Sequence, residues 1–209
     1  MKTQQFKAEQ LGAIDEAADL LRLGHIVAFP TDTVYGVGVD PFSSAAIEQL
    51  YRVKGRAAEK GIPILLADRS DLEKVTNGIS DMAQTLIDQF WPGPLTIIIP
   101  KHRDLPSNIS PNVGIAVRIP DHAIARAFIT AAGGAVAASS ANLSSEPPAL
   151  SAAEVLESLN GRIAAVLDGG QVQYGEASTV LDCMSNPPKV LREGPITVKN
   201  LSRIIANLI

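Results

Sequence analysis

Of 209 residues, one is a cysteine, Cys183. That excludes an intrachain disulfide and any zinc site built on paired cysteines. Histidine is almost as scarce. His25, His102 and His122 lie far apart with no metal-ligand spacing, and they are read as structural or surface residues. Aromatics make up 4% of the chain, too few for the stacking platforms that hold single-stranded nucleic acid. No basic run offsets a net charge of −4, so bulk electrostatics gives no nucleic-acid footprint, although a local basic cleft is compatible with an acidic total. The first ten residues, MKTQQFKAEQ, lack the apolar centre of a secretory leader, and no apolar run reaches the length of a membrane span. A soluble protein of the reducing cytoplasm is the expectation. Two nucleotide signatures are also missing. There is no GxxxxGK[ST], and Gly36-Val37-Gly38 has no third glycine of a dinucleotide fingerprint.

What is present is a long alternation of strands and helices. The chain length fits one domain over residues 1–209 and allows a sizeable core, and 46% of residues are hydrophobic. Leu11, Ile14, Ala18 and Leu21 predict a helix over 8–23, stopped by Gly24. Strand composition appears at 26–29, 62–67, 95–99, 115–119, 135–138, 163–167, 178–181 and 189–192. Helix starts are read at Ser43 or Ser44, Ser70 (a capping box with Glu73), Ser80, Asp121, Ser151 and Thr197. The last of these would carry Val198, Leu201, Ile204, Ile205 and Leu208 inward. Residues 57–61 read as a polar, mobile loop. Alternating elements argue for α/β layers, but periodicity alone leaves a parallel and a mixed sheet both open.

The stretch that organises the rest is 29–56, FPTDTVYGVGVDPFSSAAIEQLYRVKGR. Pro30 ends a strand because it donates no backbone hydrogen bond. Thr31, Asp32, Thr33 and Tyr35 follow as a polar loop, with Gly36 and Gly38 free to turn or to let a ligand approach. A helix then delivers Lys54 and Arg56, two cations beside a glycine, which together make an anion site.

Five motifs in order carry a resemblance: Pro30–Gly36 (Pro-Thr-x-Thr-x-Tyr-Gly), Lys54–Arg56 (Lys-x-Arg), Trp91–Thr96 (Trp-Pro-Gly-Pro-x-Thr), Ser140–Asn142 (Ser-x-Asn) and Arg192–Gly194 (Arg-x-Gly). The sequence resembles the YrdC/Sua5 family of threonylcarbamoyl-adenylate synthases. The resemblance implies a twisted mixed parallel and antiparallel sheet, with helices packed on it around a concave cleft. Longer family members carry a second C-terminal domain, and the single-domain form is the expectation for the present chain.

The resemblance also assigns roles, and each has a plainer alternative. Lys54 and Arg56 could be solvated cations past a helix end, where the dipole favours them; the family has them face nucleotide phosphates, which suits Lys as a point charge and Arg as a fork. Ser140 and Asn142 could form an ordinary turn; by resemblance they complete a catalytic tetrad with Lys54 and Arg56, Ser140 toward the substrate and Asn142 toward the nucleotide. Arg118 shares a strand face with Ala116, opposite Ile115, Val117 and Ile119. That face would otherwise be solvent, and the family gives Arg118 the L-threonine carboxylate, in a cleft and outside the core. Thr33 and Ser178 would line the same site. Arg192 would be a further phosphate ligand, with Glu193 standing where relatives have proline. Ala67 stands where two-domain members place a threonine-contacting histidine, Ala57 where many relatives have proline, and Ile62-Pro63 where many have Asn-Pro or Lys-Pro. The Trp91–Pro94 turn is read as architectural.

The implied reaction joins L-threonine, bicarbonate or carbon dioxide, and ATP into threonylcarbamoyl-AMP with release of pyrophosphate. It is a nucleotidyl transfer that feeds N6-threonylcarbamoyladenosine formation at tRNA position 37. Mg²⁺ would accompany ATP, no protein metal ligand is expected, and the partners downstream would be the tRNA threonylcarbamoyl-transfer proteins. Alternatives are an enzyme of this fold acting on another small substrate, as in hydrogenase-maturation carbamoyltransferases, a paralogue of different activity, and an RNA-binding module without chemistry. A direct RNA contact gains no support from the net charge.

Overall fold

The computed structural model describes residues 2–205 and 208. In chain order the elements are β1 (Gln4–Lys7), α1 (Ala13–Arg22), β2 (Val27–Phe29), β3 (Gly36–Val39), α2 (Ser44–Lys54), β4 (Ile64–Leu66), α3 (Asp81–Phe90) and β5 (Leu95–Pro100). There follow β6 (Gly114–Arg118), α4 (Ala123–Ala131), β7 (Ala135–Ser140), α5 (Ala152–Leu159), β8 (Ala165–Asp168), β9 (Thr179–Asp182), β10 (Lys189–Arg192) and α6 (Val198–Leu201). The strands form one sheet in the order β1-β8-β2-β3-β7-β4-β6-β5-β9-β10. Parallel pairs such as β4–β6 and β5–β9 alternate with antiparallel ones such as β3–β7 and β5–β6. The sheet is therefore mixed, as the resemblance implies.

Side chains alternate across the sheet, and each face has its own core. Ile26, Ala28, Ile64, Leu66, Ile97, Ile99, Ile115 and Val117 point to the face that also buries Ile47 and Leu50 of α2, Leu86 and Ile87 of α3, and Val155 and Leu159 of α5. Val27, Phe29, Leu65, Val136 and Ala138 point the other way, toward Ala17 and Leu21 of α1 and Phe128 and Ile129 of α4. Phe29 meets Phe128 with ring centroids 4.8 Å apart, a favourable aromatic spacing.

Several local expectations need correction. The helix predicted over 8–23 is a turn followed by the shorter α1, and Leu11 is fully exposed. Gln4–Lys7, outside every predicted element, is a strand that pairs in parallel with β8. Gly36–Val39 is a strand, β3, and not a loop. A Cβ on Gly38 would lie 2.6 Å from Val136 Cγ1 and 3.0 Å from the Ala137 carbonyl, so only glycine lets β3 lie this close to β7. Asp68, not Ser70, caps the 3₁₀ turn Arg69–Lys74, with Asp71 closing the capping box. His122, not Asp121, caps α4 through its ring nitrogen. The 57–61 segment holds a 3₁₀ turn at Ala58–Lys60. Ser43, Ser80, Ser151 and Thr197 cap as expected. The last helix has only four residues, Val198–Leu201, and its predicted run through 206 and 207 lies outside the described residues.

Candidate active site

Helices α1 and α4 rest on β8, β2, β3, β4 and β7. Beyond them, on β6, β5 and β9, the same sheet face is open and floors a cleft of about 330 Å³. The floor follows from strand parity. Leu65, Ala116, Arg118, Thr96, Ile98, Ser178 and Val180 line the cleft, while their neighbours Ile64, Val117, Ile97 and Leu181 enter the opposite core. Small residues at the end of β7, Ala138 to Ser140, keep one wall low.

Among the described residues four cations line the cleft, Arg56, Lys60, Arg118 and Arg192, and no carboxylate does. An acidic chain thus concentrates positive charge in one concavity, which focuses potential on an anion. Arg56 lies just past α2, which ends because Gly55 adopts φ 60°. Its guanidinium donates to the Gly61 carbonyl at 2.8 and 3.0 Å and to that of Lys60 at 3.2 Å. Burial lowers its pKa. Arg192 donates from Nε to the Ser178 carbonyl at 2.9 Å and from Nη2 to Ser178 Oγ at 3.3 Å. Burial first, and Arg56 second, lower its pKa. The Arg-x-Gly spacing has a steric reason, since a Cβ on Gly194 would meet the Ala177 carbonyl at 2.3 Å. Glu193 does not oppose these cations by hydrogen bonding to them; its carboxylate accepts from Val198 N at 3.0 Å.

Arg118 corrects the sequence expectation. It lines the cleft, yet its side chain is 3% exposed and is paired with Asp32, which is 0% exposed, at 2.9 Å. Burial lowers its pKa against the opposing pull of Asp32. Parity alone could not reveal this, because the partner comes from the 31–35 loop. Thr33 also lines the cleft, with Oγ1 3.0 Å from Thr31 Oγ1. Ser178 shares a 2.8 Å hydroxyl contact with Thr96.

Lys54 departs further from expectation. It is 2% exposed, not a solvated helix end. Its ammonium donates to the Ser140 carbonyl and, at 2.7 Å, to that of Asn142. Burial first, and Arg56 second, lower its pKa to about 8. Asn142 turns its amide to the carbonyls of Leu143 and Glu146, both at 2.7 Å. Lys54 and Asn142 therefore brace the end of β7 behind the wall, while Ser140 lines the cleft itself. The structure brings together Thr33, Arg56, Arg118, Ser140, Ser178 and Arg192 around one space. Sequence reasoning missed Lys60 and Ser139, assigned no role to Thr31 or Asp32, and placed Thr96 in a strand without a role in the site. Thr96 was legible from parity, two residues before Ile98 on the same face. Trp91 is buried and donates to the Leu95 carbonyl at 2.7 Å, an architectural contact.

No cluster of three or more His, Cys, Asp or Glu that could hold a metal ion occurs among the described residues. No described helix is long and apolar enough to cross a membrane.

The Sua5/yciO/yrdC family model, described as "Telomere recombination", matches residues 19–194. The threonylcarbamoyl-AMP synthase of Bacillus subtilis is 42% identical over 92% of this chain and 56% of its own length. That of Pyrococcus abyssi is 37% identical over 92% of this chain and 57% of its own length. The solved structure of P. abyssi Sua5 complexed with L-threonine superposes with a TM-score of 0.94 at 34% identity, covering 100% of this chain and 63% of that one. The chain thus spans just over half the length of these relatives.

Proposed function

The chain belongs to the Sua5/YciO/YrdC family, and from that premise we propose that it is an L-threonylcarbamoyl-AMP synthase, acting as a single catalytic domain over residues 1–209. The observation that carries the proposal is the cationic cleft, lined by Arg56, Lys60, Arg118 and Arg192 with no carboxylate among the described lining residues. A polyphosphate and an amino-acid carboxylate both need such a place.

In this reading ATP lies along Arg56, Lys60 and Arg192, which fork or point-bind phosphate oxygens. The threonine carboxylate meets Arg118, with Thr33, Ser140 and Ser178 supplying hydroxyls around the amino acid. The threonine amine attacks carbon dioxide, giving up a proton to solvent, or bicarbonate, with loss of water, and a carbamate results. A carbamate oxygen then displaces pyrophosphate at the α-phosphorus. No protein nucleophile is needed, and the protein's share is positioning and charge stabilisation. Lys54 and Asn142 support the wall that presents Ser140; their direct contact with nucleotide rests on the resemblance alone. Mg²⁺ would arrive with ATP, held by phosphate oxygens and water. The product would be consumed by proteins that transfer the threonylcarbamoyl group to tRNA.

The test is incubation with ATP, Mg²⁺, L-threonine and labelled bicarbonate. A labelled adenylate and threonine-dependent pyrophosphate are expected. Pyrophosphate release indifferent to threonine would sink the proposal. Salt-dependent RNA binding without turnover would favour an RNA-binding module instead.

A further inference from the structure

Arg118 and Asp32 are joined at one point. Nη2 of Arg118 donates to Oδ1 of Asp32 at 2.9 Å. The remaining atoms of a two-point fork, Arg118 Nη1 and Asp32 Oδ2, are buried and have no hydrogen-bond partner. Buried polar atoms are seldom left so, because an unpaired group forfeits its hydration. A planar guanidinium beside a carboxylate ordinarily engages both nitrogens. Here one nitrogen is pinned and the other, buried, has no partner among the described residues, in a side chain that lines the cleft.

The pair also divides the cations of the cleft. Among the described residues Arg56, Lys60 and Arg192 make no ion pair with a carboxylate, whereas Arg118 does. Four uncompensated cations would all compete for a polyphosphate, which carries more charge than an amino acid. A carboxylate behind Arg118 removes most of that site's net charge and leaves its hydrogen-bond geometry.

Asp32 itself is wholly buried and does not line the cleft. It is thus shielded from a ligand amine. A carboxylate in contact there would hold the amine as ammonium and oppose its attack on a carbonyl carbon.

We infer that Asp32 is a positioning residue: it pins Nη2 of Arg118, reserves Nη1 for a carboxylate, and makes this cation the poorest phosphate site of the four. The inference rests on the proposed function for the identity of the amino acid.

The test is titration calorimetry of wild-type protein and the isosteric Asp32→Asn variant with L-threonine, ATP and pyrophosphate separately. Threonine affinity is expected to fall about tenfold to a hundredfold, the loss of a charged hydrogen-bonded contact. ATP and pyrophosphate should bind as well or a few-fold tighter. Parallel weakening of all three ligands would make Asp32 a merely structural residue, and unchanged threonine binding would also overturn the inference. If wild-type protein binds no threonine, the proposed function fails first and takes this inference with it. If the variant does not fold, ¹⁵N-arginine side-chain spectra of wild-type protein decide, with Arg118 assigned through Arg118→Lys. Threonine should move the Nη1 resonance and leave Nη2 in place; equal movement of both overturns the inference.

Discussion

Replacing Lys54 by methionine keeps the side-chain stem and removes the ammonium. From sequence this is a surface change, with an effect within roughly 1 kcal/mol. The structure predicts a larger loss. The ammonium is buried and donates to the carbonyls of Ser140 and Asn142, tying the end of α2 to the end of β7. Hydrogen bonds from a charged donor contribute about 1.5–3 kcal/mol each. Relief of the ammonium's desolvation offsets part of that gain, so the variant should be less stable by roughly 2–4 kcal/mol. At this chain length each kcal/mol moves the melting point by about 2–4 °C. The loss should also depend on pH. Folding lowers the Lys54 pKa from 10.5 to about 8, so between those values the unfolded chain binds more protons than the folded one. Stability contributed by this titration therefore rises with pH from about 8 to 10.5 and is absent below that window. Urea melts of both proteins from pH 7 to pH 10 provide the assay. A difference within about 1 kcal/mol would refute the bracing role, and one flat across pH would refute the lowered pKa.

Arg118→Lys should weaken threonine binding about tenfold or more while leaving ATP binding nearly unchanged, because a point charge cannot replace one corner of a fork; separate titrations check the split. Arg56→Ala should weaken ATP by a comparable factor with a stability change of roughly 1 kcal/mol or less, since its partners are the carbonyls of its own loop, Lys60 and Gly61; equal loss of threonine binding would count against the division of the cleft. Gly38→Ala should destabilise the fold by about 1–3 kcal/mol, as expected of overpacking, given the 2.6 Å approach to Val136; an unchanged melting point would contradict the close packing of β3 on β7.

Much of the fold was legible because buried strands and capped helices announce themselves locally. Ser43, Ser80, Ser151 and Thr197 cap where their hydroxyls predict, and period two puts Arg118 with Ala116 on the cleft face. What failed was long-range. β1 exists because β8 receives it, and β3, with glycine at two of its four positions, is a strand admitted by its neighbours. The candidate site was legible through the resemblance, which named Thr33, Arg56, Arg118, Ser140, Ser178 and Arg192 among the residues that line the cleft. Burial was not legible. A lysine at a helix end and an arginine on a strand look solvated until the carbonyls of residues 140 and 142 and the carboxylate of Asp32 arrive from 86 or more positions away.

One sheet serves as both core and cleft floor, and this ranks the molecule's motions. Amides of β5 and β6 are bonded to each other directly beneath the ligand space, so they can exchange with solvent only through openings that also dismantle the packing of Ile97, Ile99, Ile115 and Val117. The side-chain hydrogen bonds described for the rim at 56–61 are local, from Arg56 to the carbonyls of Lys60 and Gly61, so the rim is expected to open alone. Hydrogen exchange should find some of the slowest amides immediately under the cleft and fast ones at its rim, so that entry to the cleft is decided at the rim while the floor stays as folded.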